Sequence, residues 1–328
     1  MKPYFMRLIY STVTSSFIFL CSPLMATSTI IEVQNTNSLV VESASYSEGI
    51  GYDSDTGKYY VGSLVSPNVY QVSRNGEIAR FLTDPRIISS AGVHVDNANQ
   101  RLLVTSLDLG TSVNTDKASE GKLAGLGIYD LQTGKTINYI NLAKALPGAH
   151  LANGIAVDNL GVIYVTDSSS PHIYKIDKNY HTSIFLTDKE FTGEGFNLNG
   201  IVYHKDGFLI VSKYNSNALY RIPINNPEGF IKIELDNPLM GPDGLVFLPN
   251  NILAVIQNGS EGKISFFISN DDWESAMHTN SIILENTYPT SGVVVENGIA
   301  VIDGHINKLF SGQIDTVKNF SIFRLLVF

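Results

Sequence analysis

Six glycines, Gly49, Gly92, Gly154, Gly200, Gly244 and Gly292, each open a short run of β-branched or aromatic residues: EGIGYD, AGVHVD, NGIAVD, NGIVYH, DGLVFL and SGVVVE. Such runs suit half-buried strands. The intervals between the glycines are 43, 62, 46, 44 and 48 residues. Self-similarity at a period of about 40–50 residues, with four strands per period, marks blades stacked radially around a central channel. The expected fold is therefore all-β, a six-bladed β-propeller of four-stranded antiparallel blades, with residues 27–328 as one domain.

One unit shows the layout: residues 154–158 form a first strand, 159–161 a turn, 162–167 a second strand, and 172–177 and 182–186 the outer two. Polar or glycine-containing turns separate the runs, as hairpins require. The 62-residue interval carries a polar insertion, residues 108–121 (DLGTSVNTDKASEG), without apolar period and read as a surface loop. Residues 270–278 (NDDWESAMH) read as one or two helical turns outside the ring. A ring leaves no open edge only if the chain ends share a blade. Residues 29–33 (TIIEV) and 38–42 (SLVVE) near one end and 319–328 (NFSIFRLLVF) at the other are the candidate partners. An N-terminal strand is expected to complete the last blade beside the C-terminal run.

Residues 1–26 stand apart. Lys2 and Arg7 precede an apolar run from Leu8 to Leu20, and Met25-Ala26 ends in a small residue, the pattern of a secretory signal peptide. The run is too short and too rich in Ser and Thr for a convincing membrane span. An exported protein, periplasmic or extracellular, is expected, without stable membrane insertion once the signal is cleaved. The single cysteine, Cys21, lies in that segment, so a mature chain would have no disulfide. The full sequence has net charge −9, and losing Lys2 and Arg7 makes it more acidic. Nucleic acid is a poor partner for such a chain; a small-molecule substrate is expected, and oligomeric state is left open.

The residue before each glycine is Glu48, Ala91, Asn153, Asn199, Asp243 or Ser291. In a propeller, equivalent positions of the innermost strands surround one channel mouth, so Glu48, Asn153, Asn199 and Asp243 should converge despite their separation in sequence. Two carboxylates and two amide carbonyls are hard donors that suit Ca²⁺, or another divalent ion, and balance its charge. Zinc would favour Cys or His. Singly, Asn, Asp and Glu before Gly are ordinary turn formers; the ordered set of four carries the metal expectation. The second strands end in another polar column, Ser63, Ser106, Asp167, Lys213, Gln257 and Asp303, read either as support for the site or as solvent-facing strand ends. His94, His150 and His305 lie near the same rim in sequence, and His305, in DGHINK, is placed to project over an ion.

With SEGIGYD, LANGIAVD, NLNGIVY and GPDGLVF in order, the chain resembles the regucalcin/gluconolactonase superfamily, which includes luciferin-regenerating enzyme and has paraoxonase and diisopropyl fluorophosphatase as relatives. The resemblance spans most of residues 27–328. It implies one Ca²⁺ at the channel mouth held by Glu48, Asn153, Asn199 and Asp243, hydrolysis of a lactone or similar ester, and Asp243 as base or nucleophile, with His305 as a lesser helper. Two departures stand out: the opening reads EGIGYD where the family has EGP and an aromatic, and the Asn of the third blade lacks the Asp that commonly follows. Other enzyme templates are absent: no GxSxG elbow, HExxH, CxxC, P-loop or strand-linked GxGxxG occurs. DSDTGK, residues 53–58, lacks EF-hand spacing and fits a hairpin turn. The rival readings are a non-catalytic, NHL-like binding propeller and a strictosidine-synthase-like protein.

Overall fold

The computed structural model describes residues 31–328 apart from 44 and 145; the signal-peptide segment and Cys21 lie outside the described residues. Six small sheets form, and the innermost strand of each contains or directly follows one of the six glycines. Those strands are Ile50–Asp53, Val93–Asp96, His150–Val157, Leu198–His204, Pro242–Leu248 and Ser291–Val295. Each neighbours the next around the axis, and the sixth returns to the first. The ring is thus a closed six-bladed β-propeller.

Closure is as expected. Val33–Val41 pairs antiparallel with Phe320–Val327, from Val33 opposite Val327 to Val41 opposite Phe320, and forms the outer strand of the last blade. The two ends of the described chain lock one sheet, which removes the free edge a propeller would otherwise expose.

Burial explains why the second strands read as nearly unbroken apolar runs. Arg101–Ser106, Ile163–Asp167, Phe208–Lys213, Ile252–Gln257 and Gly298–Asp303 are buried along their whole lengths. Each is sandwiched between two neighbouring blades. Six apolar clusters fill the gaps between consecutive blades; Tyr60, Val69, Val93 and Val104 join the first blade to the second, and Val61, Val72, Ile302 and Phe320 join the sixth to the first. Burial of apolar area, about 25 cal/mol per Å², is thus spread around the ring.

Three details differ from the sequence reading. Two blades gain a short fifth strand paired in parallel: Lys122–Leu123 on His150–Leu151 and Glu234–Leu235 on Ser275–Ala276. Residues 270–278 contain no helix; Ser275–Leu284 is a strand of the fifth blade. The turn before it places Asp272 and Trp273 at φ 59° and 65°, successive left-handed residues that a right-handed helix excludes. The Asp271 carboxylate accepts from the Ser275 amide and hydroxyl, and Trp273 is buried edge-on against Phe247. Third, the insertion at residues 108–121 is a loop, but it is built around the fully buried Asp108 carboxylate, which accepts from Gly110, Thr115, Asp116 and Ser119.

Candidate active site

The four oxygen donors sit where the inner strands begin, and the strands are bent to present them. The ladder register slips between Ala152 and Ile155, between Leu198 and Ile201, and between Pro242 and Leu245. Three β-bulges therefore fall on Asn153-Gly154, Asn199-Gly200 and Asp243-Gly244. A bulge re-aims the side chain it carries and leaves backbone groups unpaired. Neighbouring hydroxyls take up those groups: Thr166 accepts from the Gly154 amide and donates to the Asn199 carbonyl at 2.6 Å, and Ser212 donates to the Asp243 carbonyl at 2.9 Å. Thr290 donates to the Glu48 carbonyl at 2.7 Å.

The glycine column follows from this crowding. A Cβ on Gly154 would lie 2.6 Å from the Asn199 carbonyl oxygen, and one on Gly200 would lie 2.4 Å from that of Asp243. At Gly92, Gly154 and Gly200 the backbone of the next blade's donor, Asn153, Asn199 or Asp243, thus presses against the glycine.

Glu48, Asn153, Asn199 and Asp243 all line two cavities at once. One, of about 470 Å³, runs down the axis between the inner strands. The other, of about 90 Å³, is a cleft on the opposite side of the four donors. The donors therefore form the partition between channel and cleft. Glu48, Asn199 and Asp243 are buried.

Asn153 and Asp243 are each steered by a neighbour. The Asn153 amide nitrogen donates to Ser168 Oγ at 3.0 Å, and that hydroxyl donates to the Leu198 carbonyl, which leaves the Asn153 oxygen free to face the centre. The Asn258 amide donates to Asp243 Oδ2 at 2.6 Å and is itself held by the Pro289 carbonyl and the Tyr214 hydroxyl. Asp243 Oδ1 is buried without any hydrogen-bond partner. Burial, and secondarily the charge of Asp243, pushes Glu48 well above the ordinary carboxylate range. Burial likewise raises Asp243 to about 7, against the opposing hydrogen bond from Asn258.

Two buried carboxylates that disfavour each other's charge, one with an orphaned oxygen, form a site that a divalent cation fits. Among the described residues no three His, Cys, Asp or Glu side chains gather as a metal-binding group; half of this donor set is amide.

The other residues singled out in the sequence distribute differently. Ser63, Ser106, Asp167, Lys213, Gln257 and Asp303 are all buried rather than solvent-facing. They line neither donor cavity and instead tie loops to the rim: Ser106 donates to the Arg86 carbonyl, Lys213 to the Glu190 carbonyl, and Gln257 accepts from the Met240 amide. His94 lines the axial channel. His150 is buried against the Asp167 carboxylate at 2.8 Å. His305, at φ 54°, caps the helix Ile306–Phe310 with its Nδ1 3.3 Å from Asp303 Oδ2; it lines neither cavity, although Ile306 and Phe310 line the cleft.

Sequence reasoning missed Asn258, Thr166, Ser212 and Thr290. A signal for two of them was present: Thr105, Thr166 and Ser212 occupy the same position in three consecutive blades, one residue before the second polar column. Thr105 repeats the device, accepting from the Gly92 amide at 2.7 Å.

No protein-family model matches the chain, and no curated protein matches it. Solved structures do. A gluconolactonase from Xanthomonas campestris superposes with a TM-score of 0.61 at 14% identity, over 87% of this chain and 88% of that one. A luciferin-regenerating enzyme gives 0.61 at 11% identity, over 90% and 95%. The PQQ-bound aldose sugar dehydrogenase from Streptomyces coelicolor gives 0.62 at 11% identity, over 91% and 98%. The neighbours thus include gluconolactonase and luciferin-regenerating enzyme, the proteins the ordered motifs resemble, and what this chain shares with all three is the β-propeller fold.

Proposed function

We propose that the chain is an exported hydrolase of lactones or related esters, dependent on Ca²⁺ or another divalent ion held by Glu48, Asn153, Asn199 and Asp243. The observation that carries this reading is the partition itself: four oxygen donors, one of them with a buried orphan oxygen, meet at the base of a cleft. The fold alone does not decide chemistry, since one architecture hosts many activities; a sugar dehydrogenase and a gluconolactonase both superpose on this chain. The likeness to gluconolactonase and luciferin-regenerating enzyme supports the reading through the ordered Glu, Asn, Asn, Asp set.

When bound, the cation would act as a Lewis acid on the ester carbonyl, favouring the charge that develops on its oxygen. Asn153 and Asn199 orient amide oxygens toward the centre without adding charge. Asp243 takes the proton of an attacking water, while Asn258 fixes the carboxylate through Oδ2. A bond forms between the water oxygen and the acyl carbon, the bond from that carbon to the ring or alkoxy oxygen breaks, and the proton returns to the departing oxygen. The products are a hydroxy acid, or an acid and an alcohol, and no oxidant is consumed. His305, bound to Asp303, acts through the placement of the Ile306–Phe310 helix or as a proton carrier at the rim. Residues 1–26 would direct export.

Elemental analysis of the purified protein, coupled to a lactone and ester screen before and after chelation, tests the reading. A stoichiometric divalent metal with chelator-sensitive hydrolysis is expected. Hydrolysis that survives complete metal removal, or a metal-loaded protein inert across lactone, aryl-ester and phosphotriester substrates, would overturn it.

A further inference from the structure

The cleft beside the four donors has walls of one chemical kind. Leu64, Leu107, Leu109 and Leu151 line it, and Phe196 and Phe310 stand at its margin with ring centroids 6.4 Å apart. Glu48 and Asp243 are the charged side chains of its lining, and both belong to the donor set. The polar groups that remain are already engaged: Tyr214 donates to Asn258 and lies 3.4 Å from the Tyr288 hydroxyl, and Ser168 is committed to Leu198 and Asn153.

We propose that the substrate bears an apolar alkyl or aryl group beside its scissile ester linkage, on the carbon that carries the ester oxygen, and that the cleft rejects polyol lactones; this rests on the hydrolase reading above. A polyol placed against these leucines would lose its hydrogen bonds to water without regaining them from the walls, a penalty that grows with each hydroxyl buried. An alkyl group gains from the same walls. Leu64, Leu107 and Leu151 are at most 7% exposed and belong to packed clusters, so the walls are set before a ligand arrives. Leu109 comes from the insertion at residues 108–121, whose buried Asp108 hub fixes the loop against the rim. Phe196 and Phe310 are 37% and 48% exposed, which leaves two aromatic faces for the part of the substrate that extends beyond the cleft.

The test measures kcat/KM of the Ca²⁺-loaded full chain for γ-butyrolactone, for γ-lactones with side chains lengthening from ethyl to heptyl, and for glucono-δ-lactone. Dissociation constants of the matching γ-lactams, which are not hydrolysed, are measured in parallel by calorimetry. We expect kcat/KM and lactam affinity to rise by about fourfold per methylene over the first few carbons, with glucono-δ-lactone poorest, and L109N and F310S to flatten both slopes. A flat series, or preferred turnover of glucono-δ-lactone, overturns the proposal and leaves the hydrolase reading standing. Lactam binding that strengthens with chain length while no lactone is cleaved upholds the apolar specificity and overturns the hydrolase reading. Absence of both sinks both.

Discussion

The two ends of the same inner strands carry opposite electrostatics. Where the strands begin, Glu48 and Asp243 are buried together, both pushed upward in pKa, and Asp243 Oδ1 has no partner. Where they end, a second column reads Asp53, Asp96, Asp158 and His204, and each member is satisfied. Asp53 accepts from Thr56, from the Asp55 amide and from Asn97 of the next blade; despite its burial those bonds hold it below the ordinary carboxylate value. Asp96 pairs with the buried Arg101, whose guanidinium also donates to the Gly161 carbonyl of the third blade. Asp158 caps its own turn through the Leu160 and Val162 amides, and His204 meets Asn251 of the fifth blade at 2.6 Å. Buried carboxylates are thus satisfied at one end, while at the other Asp243 Oδ1 is left unmet, and that contrast is what supports the cation proposed there.

Four experiments break or sharpen that contrast. Arg101→Met should cost the most stability, about 3–5 kcal/mol in denaturant unfolding, because it leaves Asp96 as an uncompensated buried charge; the surviving folded protein should keep its hydrolytic rate. A loss below about 1 kcal/mol would show that the far rim is not a staple. Asp243→Asn should lower kcat by a factor on the order of 10²–10³ while raising the melting temperature in chelator, since it removes one of two repelling buried carboxylates. A melting point that falls in chelator would contradict the unmet-charge account. Gly200→Ala should destabilise by roughly 1–3 kcal/mol and weaken metal uptake, because the new methyl would displace the Asp243 backbone; equilibrium dialysis with unfolding curves would separate the two effects.

The smallest effect concerns the His150 and Asp167 pair, with Tyr174 donating to the same carboxylate and His172 stacked 6.1 Å away. The hydrogen bond it donates to Asp167 raises His150 above 6.5 despite its burial, so that contribution is complete below this pH and fades as pH rises through the higher folded value. Asp167 is held below 3.8, burial being outweighed by bonds from His150 and the Leu151 amide, so its contribution is complete above this pH and fades as pH falls through the lower folded value. The melting-temperature gap between the wild type and His150→Gln should therefore be widest from pH 4 to 6.5 and shrink above it. A gap that grows toward pH 8 would refute the pairing.

Local pattern carried the architecture and the grouping of four polar residues at one place on the axis. Six glycine-led runs at near-constant spacing specify equivalent strands, and a radial ring places equivalent positions on one axis, so Glu48, Asn153, Asn199 and Asp243 could be grouped from sequence. Residues 270–278 were misread because helix-compatible composition does not reveal two successive positive φ angles, which are imposed by the hairpin and by the burial of Trp273. The polar column ending the second strands was ambiguous because its burial depends on loops that arrive from elsewhere, as when Lys213 reaches the Glu190 carbonyl.

The repeat by itself determined the number of blades, the closure through the last sheet and the column of oxygen donors, because each follows from periodicity and alternation along the chain. Tertiary structure alone decided that the glycines exist to admit the next blade's carbonyl, that Asn258 grips Asp243, and that leucines from three blades wall the cleft. Those facts depend on contacts between segments far apart in sequence, where packing distance and not residue order sets what each side chain meets.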